Sequence, residues 1–196
     1  MRYGAEHKQE TRIRLLKAAA NSIRAEGPHQ AGVSMIMAEA GLTHGGFYAH
    51  FASKDELITA AIDQMFEQSR SRFVAKTQDR DPADALWSYI SFYLSSSHRD
   101  GLATGCPIAA LLSDAQRVSG AARESLSQGA SRLKKQLADL LWGMEYVDAE
   151  DQADSLLAEM VGALMLARAE PDRNRSNKIL LRSKVNLKKR FHLESV

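Results

Sequence analysis

Gly32 to Leu57, GVSMIMAEAGLTHGGFYAHFASKDEL, reads as a short helix, a tight turn at Gly41-Leu42, a second short helix and a strongly capped third. Two choices in this run work against helix stability. Gly45 and Gly46 fall early in the second helix, where each glycine costs roughly 1 kcal/mol relative to alanine. Lys54 follows Ser53, the expected N-cap, so a positive charge meets the positive end of the helix dipole. Fold stability explains neither. A neighbouring phosphate backbone explains both, because glycine admits close approach and a helix N-terminus bearing lysine attracts anions. Two short helices joined by a glycine turn form the helix-turn-helix arrangement, in which the first crosses the DNA backbone and the second enters the major groove.

Working outward from this run, the spacing predicts an all-α chain. A first helix is expected over Glu6 to Glu26, stopped by Gly27-Pro28, with Leu16, Ala19, Ala20 and Ile23 inward. The next, Val33 to Ala40, turns Ile36, Met37 and Ala40 inward, and the third runs from Thr43 as cap to His50 with Phe47 and Phe51 in the same small core. Ser53 and Glu56 form a capping box that opens a long helix to about Lys76. After Asp79-Arg80-Asp81-Pro82, a helix over Ala83 to Ser97 carries Leu86, Trp87, Ile90, Tyr93 and Leu94. A Gly101–Pro107 loop, a short helix to Ala115, long helices over Gly120–Gly143 and Asp148–Glu170, and a basic helix over Asn174–Phe191 complete the chain. The boundary falls inside the Ser53 helix, dividing a reading head (1–55) from a larger helical body (56–196).

Composition narrows the function classes. The chain has 196 residues, a net charge of +2 and one cysteine, which fits a reducing compartment and rules out an internal disulfide framework. No apolar run reaches bilayer length and the start, MRYGAEHKQETR, has no apolar signal segment, so a cytoplasmic, non-membrane protein is expected. The histidines (His7, His29, His44, His50, His98, His192) lack zinc-site spacing, and no Gly-x-Ser-x-Gly or phosphate loop is present. No catalytic centre, metal or cofactor is therefore expected. From Arg173 onward eight Lys/Arg face a single acid, Glu194. This tail reads as a solvated helix face, or alternatively as a contact for DNA or an acidic partner.

Within the head, Thr43 and His44 open the helix whose first residues reach base edges. Phe47 and Phe51 take the core-facing positions, which leaves Tyr48 on another face, for a phosphate or base edge. Lys8 and Arg12 read as solvated. In the body, Trp87, Phe92, Tyr93, Trp142 and Met160 are large apolar side chains that suit either a core or a pocket.

The run Ala40-Gly41, Thr43, Gly45, Phe47, Tyr48, His50-Phe51, Lys54 and Leu57, with TRIRLLKAAANSIRAEG upstream, resembles the DNA-binding domain of TetR-type transcriptional regulators over roughly the first sixty residues. Two departures stand out. Gly32 replaces the usual threonine cap, and Ser22-Ile23 replaces an apolar pair. The resemblance implies DNA contacts by Thr43, His44, Gly45, Gly46, Tyr48, His50 and Lys54, with His50 on the backbone. It also implies a double-stranded operator, a small-molecule effector in a pocket that includes Trp87, Phe92, Tyr93, Trp142 and Met160, and a homodimer through the last two long helices. The stripe Leu156, Leu157, Met160, Val161, Leu164 and Met165 fits that dimer role. Cys106 stands after Gly105 at a helix start, where a dipole lowers a thiol pKa, and some relatives that respond to electrophiles have a cysteine in a similar stretch; the plainer reading is an inert packed thiol. The rival reading from another class is a helical small-molecule-binding or enzymatic protein with a vestigial DNA-binding head.

Overall fold

Helix ends fix this chain's course, and most are written locally. The computed structural model describes residues 2–193, with the side chains of all but 2–5 and His44, and among these it contains helices and no strand. In order they are α1 (Arg2–Glu26), α2 (Val33–Glu39), a 3₁₀ segment (His44–Ala49), α3 (Lys54–Thr77), α4 (Pro82–Tyr93), α5 (Ser96–Asp100), α6 (Pro107–Leu111), α7 (Gly120–Gly143), α8 (Ala149–Ala169) and α9 (Arg173–Arg190), with short 3₁₀ turns at Leu102–Thr104 and Leu112–Asp114. Gly27 ends α1 at φ +85° and Gly41 ends α2 at φ +70°, the left-handed region that glycine enters freely. After α2 the Gly41 N–H bonds to the Ala38 carbonyl and the Leu42 N–H to Met37, a Schellman turn. At the start of α3 the Ser53 hydroxyl accepts the Glu56 N–H at 3.1 Å, while the Glu56 carboxylate accepts the Ala52 N–H at 2.7 Å. Asp172 caps α9 by accepting the Arg175 N–H at 2.8 Å.

Three expectations change. The segment after Thr43 is 3₁₀ rather than α: it is six residues long, carries two poor helix formers and closes i→i+3 bonds such as Gly46 N–H to Thr43. The helix expected to reach Ser97 stops at Tyr93, because the Ser95 hydroxyl accepts the His98 N–H at 3.1 Å and opens α5 instead. Along α1 it is Leu15, not Leu16, that is completely enclosed, with Ala18, Ala19, Ser22 and Ile23.

The described residues form two compact units, one from residues 2–68 with Cys106–Gln128, the other from Ser69–Gly105 with residues 129–193. In the first, α1 packs on α2 and α6, and Leu15, Ile23, Ile36, Met37, Phe47, Phe51 and Leu57 are buried. Gly32 offers no side-chain cap to α2, as expected, and the buried Ser22 hydroxyl has no hydrogen-bond partner. The buried Arg24 guanidinium donates to the Met65 carbonyl (3.3 Å) and to Gln68 Oε1 (2.8 Å) of α3. In the second unit α8 packs along α9, and α4 meets both. Among the described residues no helix is long and apolar enough to cross a membrane.

The α8 stripe needs a correction. Leu156, Leu157, Met160, Val161 and Leu164 are enclosed within the single chain, whereas Met165 and Leu166 are exposed. Helical periodicity identifies a buried face but not which partner buries it, and here that partner includes α9 of the same chain. Leu164→Ala, at 0% exposure, is expected to cost 2–5 kcal/mol in denaturant unfolding, whereas Leu166→Ala, at 64%, is expected to stay within about 0.5 kcal/mol.

Candidate nucleic-acid interface

The reading segment is presented by the Gly41 turn and anchored by its aromatic residues. Phe47 and Phe51 are buried and stacked at 6.1 Å. Tyr48, between them in sequence, is 73% exposed and meets Phe47 edge-on at 5.2 Å. A phenol held this far out by a buried neighbour is available to an external partner. Thr43 is also exposed and occupies the N-cap position, but its hydroxyl makes no capping bond. That leaves a hydroxyl to offer outward. The side chain of His44 lies outside the described residues.

Gly45 and Gly46 are not required by the fold. Neither has a left-handed φ, a Cβ on Gly45 would meet nothing within 4 Å, and one on Gly46 would make ordinary contacts with Met37 and Thr43. The fold by itself leaves room for a side chain at both positions.

His50 is half-buried, and its Nδ1 is buried without a hydrogen-bond partner. Burial, and then the nearby Lys8 and Arg12 charges, lower its pKa below the ordinary 6.5. Both effects favour the neutral imidazole. Lys54 proves to have a structural partner as well, since its ammonium donates to the His29 carbonyl at 3.2 Å and ties the α1–α2 loop to the start of α3. The sequence reading that stability offers no reason for this lysine is corrected accordingly. Arg12 is corrected too: it is half-buried, donates to the His50 carbonyl and lies over the Phe51 ring at 4.1 Å. Lys8 is exposed, as expected.

The apolar residues of the body fall into different surroundings. Phe92 and Tyr93 gather around His98, with ring centroids 5.2 and 4.8 Å away. Trp87 lies under the Lys188 ammonium at 4.7 Å. Met160 is fully enclosed on α8, and Trp142 is exposed, lining an open hollow of about 410 Å³ with Lys134, Asp139 and Glu150. Cys106 belongs to the first unit, where it is buried at the N-cap position of α6. Among the described residues no group of His, Cys, Asp and Glu is placed to hold a metal ion.

Sequence reasoning missed a buried polar cluster beside the Phe92–Tyr93 pair. His98 Nδ1–H donates to the Tyr93 carbonyl at 2.7 Å. Arg99, also buried, reaches Asp100, Ser176 (2.8 Å) and Asn177 (2.7 Å), and Arg168 donates to the Arg99 and His98 carbonyls at the end of α5. Arg99 and Arg173 hold the Asp100 carboxyl well below the usual carboxylate range. The available signal was Ser95, a serine three residues before His98-Arg99-Asp100, which caps a new helix at that point.

Residues 15–61 match the family model described as bacterial regulatory proteins, tetR family, and residues 82–179 match the C-terminal domain of LmrA/YxaF-like transcriptional regulators. An uncharacterized HTH-type transcriptional regulator, YdgC, of Bacillus subtilis (strain 168) is 43% identical over 61 residues, 31% of either chain. An uncharacterized HTH-type transcriptional regulator in the lacX 3′ region of Lactococcus lactis subsp. lactis is 25% identical over 85% of this chain and 87% of its own. Among solved structures, a TetR transcriptional regulator from Chloroflexus aurantiacus J-10-FL superposes with a TM-score of 0.80 at 28% identity, covering 93% of this chain and 94% of its own.

Two outcomes are expected from this geometry. Gly45→Ala should leave unfolding stability equal to the parent or raise it, by up to about 1 kcal/mol, while weakening DNA binding in an anisotropy titration; unchanged affinity would return Gly45 to the role of a loop residue. His98, 7% exposed and with its pKa lowered from 6.5 to about 4, resists protonation in the folded state. Its contribution is therefore complete above pH 6.5 and is lost as pH falls toward 4, about 3 kcal/mol in all. His98→Gln should flatten that part of the stability–pH curve.

Proposed function

The chain belongs to the TetR family of bacterial regulatory proteins, and from that premise we propose that this DNA-binding transcriptional regulator acts in the cytoplasm as a homodimeric repressor, released from a near-palindromic operator by a small-molecule effector. The observation that carries the reading is the segment after Thr43: an exposed tyrosine and two glycines that the fold itself does not need. Thr43, His44, Gly45, Gly46 and Tyr48 meet bases and phosphates. His50 and Lys54 contact the flanking backbone, Lys54 adding its charge at the N-terminus of α3.

Dimerisation uses what α8 and α9 leave uncovered. Met165 and Leu166 on α8, with Leu181 and Val185 on α9, are large apolar side chains exposed on adjacent helices. A second copy covers them by a two-fold axis, which sets two reading segments on opposite half-sites. The basic α9 is partly spent internally, on Asp100, Glu170, Gln152 and the Trp87 ring, which favours the solvated-face reading of the rest. The effector is an apolar or aromatic small molecule taken up beside Phe92 and Tyr93, since Trp87, Trp142 and Met160 lie in different surroundings. It acts by binding better to a dimer whose reading segments no longer match the groove spacing. Cys106 offers a second input, by adduct formation at its thiol.

Selection from random duplexes with the purified protein is the direct test. Enriched sites should contain two inverted half-sites centred about 34–36 Å apart, one helical turn. Lys54→Ala should weaken binding to all sequences and reduce the slope of log affinity against log salt by about one unit. Absence of any enriched sequence would overturn the operator reading, and an unchanged slope would remove Lys54 from the interface.

A further inference from the structure

The reading segment is a weak element by its own chemistry. Six residues of 3₁₀ helix, two of them glycine, set little of their orientation through local backbone preference. Its geometry must be imposed from elsewhere, and one side chain of α1 does this at the segment's C-terminal end. The Arg12 guanidinium donates to the carbonyl of His50, the residue that caps the segment, and lies flat enough over Phe51 to place its central carbon 4.1 Å from the ring centroid. Phe51 stacks on Phe47, and Phe47 meets Tyr48 edge-on. A single guanidinium thus fixes a main-chain carbonyl and the aromatic chain on which the exposed Tyr48 rests. Its own base is rigid, because α1 is clamped near its other end by the buried Arg24, bonded to Met65 and Gln68 of α3.

We infer that Arg12 is a positioning residue for DNA recognition, holding the reading segment at the angle that discriminates bases without itself supplying a phosphate contact. The inference rests on reading His44–Ala49 as the segment that meets the bases. It requires a guanidinium and not merely a charge. Lysine can reach one carbonyl but has no plane to lie on Phe51.

The test uses full-length protein and two duplexes, the site enriched by the parent and a scrambled duplex of equal length. Affinities of the parent, Arg12→Lys, Arg12→Gln and Lys54→Ala are measured over a salt series, with helicity and Tm as fold controls. Arg12→Gln and Arg12→Lys should both lose about 10-fold or more on the enriched site, as a misread base position does, with the scrambled duplex and the salt slope unchanged. The specificity ratio falls while the electrostatic component stays, the reverse of Lys54→Ala. If Arg12→Gln fails to fold, Arg12→Lys decides, since it keeps the charge and the aliphatic stem. A ratio fully retained by Arg12→Lys overturns the inference. Equal losses on both duplexes with a slope reduced by about one also overturn it, making Arg12 a phosphate contact. A parent that enriches no site removes the underlying DNA reading itself, a failure distinct from either.

Discussion

The head of this molecule depends on burying Phe47 and Phe51 in a core built from very few residues. Phe47 lies within, and Phe51 just beyond, a segment too short and too glycine-rich to hold itself, so their burial fixes where the segment lies. Ala18, Ala19 and Ala20 of α1 are buried in the same unit, and small side chains let a neighbouring element approach closely. Once those rings are seated, Tyr48 has no inward position left to take. Its exposure is a consequence of packing.

The features legible in the sequence are those decided within a few residues. Gly27, Gly41 and the Ser53–Glu56 pair announce helix ends because their chemistry is local, and the structure places them there. Contacts between residues distant in sequence were not legible. Arg12 and His50 lie 38 residues apart, Lys54 and His29 lie 25 apart, and Arg99 and Ser176 lie 77 apart. A periodicity argument assigns every arginine and lysine to solvent, since nothing local reveals a carbonyl waiting in another element. The α8 stripe failed for the complementary reason: apolar periodicity at Leu156, Met160 and Leu164 is identical whether the covering helix belongs to the same chain or to a partner.

The buried charges of the second unit show how such contacts set limits on the fold. Arg99 and Arg168 sit where α5 ends, and their donors go to its last carbonyls, to Asp100 and to the side chains of Ser176 and Asn177 at the start of α9. Cations at a helix C-terminus are favoured by the dipole. Removing one member leaves a buried partner unsatisfied, at several kcal/mol, more than the intact pair contributes. His98 stays neutral in the same cluster because a third positive charge there would be repelled as well as desolvated. The aromatic neighbours Phe92 and Tyr93 therefore pack against a polar cluster, and the Phe92 ring also carries the Lys76 ammonium 5.4 Å from its centroid.

In the first unit, the same rule turns α1 into a strut. Arg24 is buried, and its bonds to Met65 and Gln68 cannot be given up without leaving a desolvated guanidinium. A displacement of α3 at those residues is therefore followed by α1 so long as the bonds persist. At the other end Arg12 carries that motion to His50 and Phe51, and so to the reading segment. The segment has little stiffness with which to resist, because Gly45 and Gly46 lower its intrinsic stability without relieving any crowding. The two glycines thus leave the orientation of this segment to its anchors, the Arg12 bond to His50 and the buried Phe47–Phe51 pair.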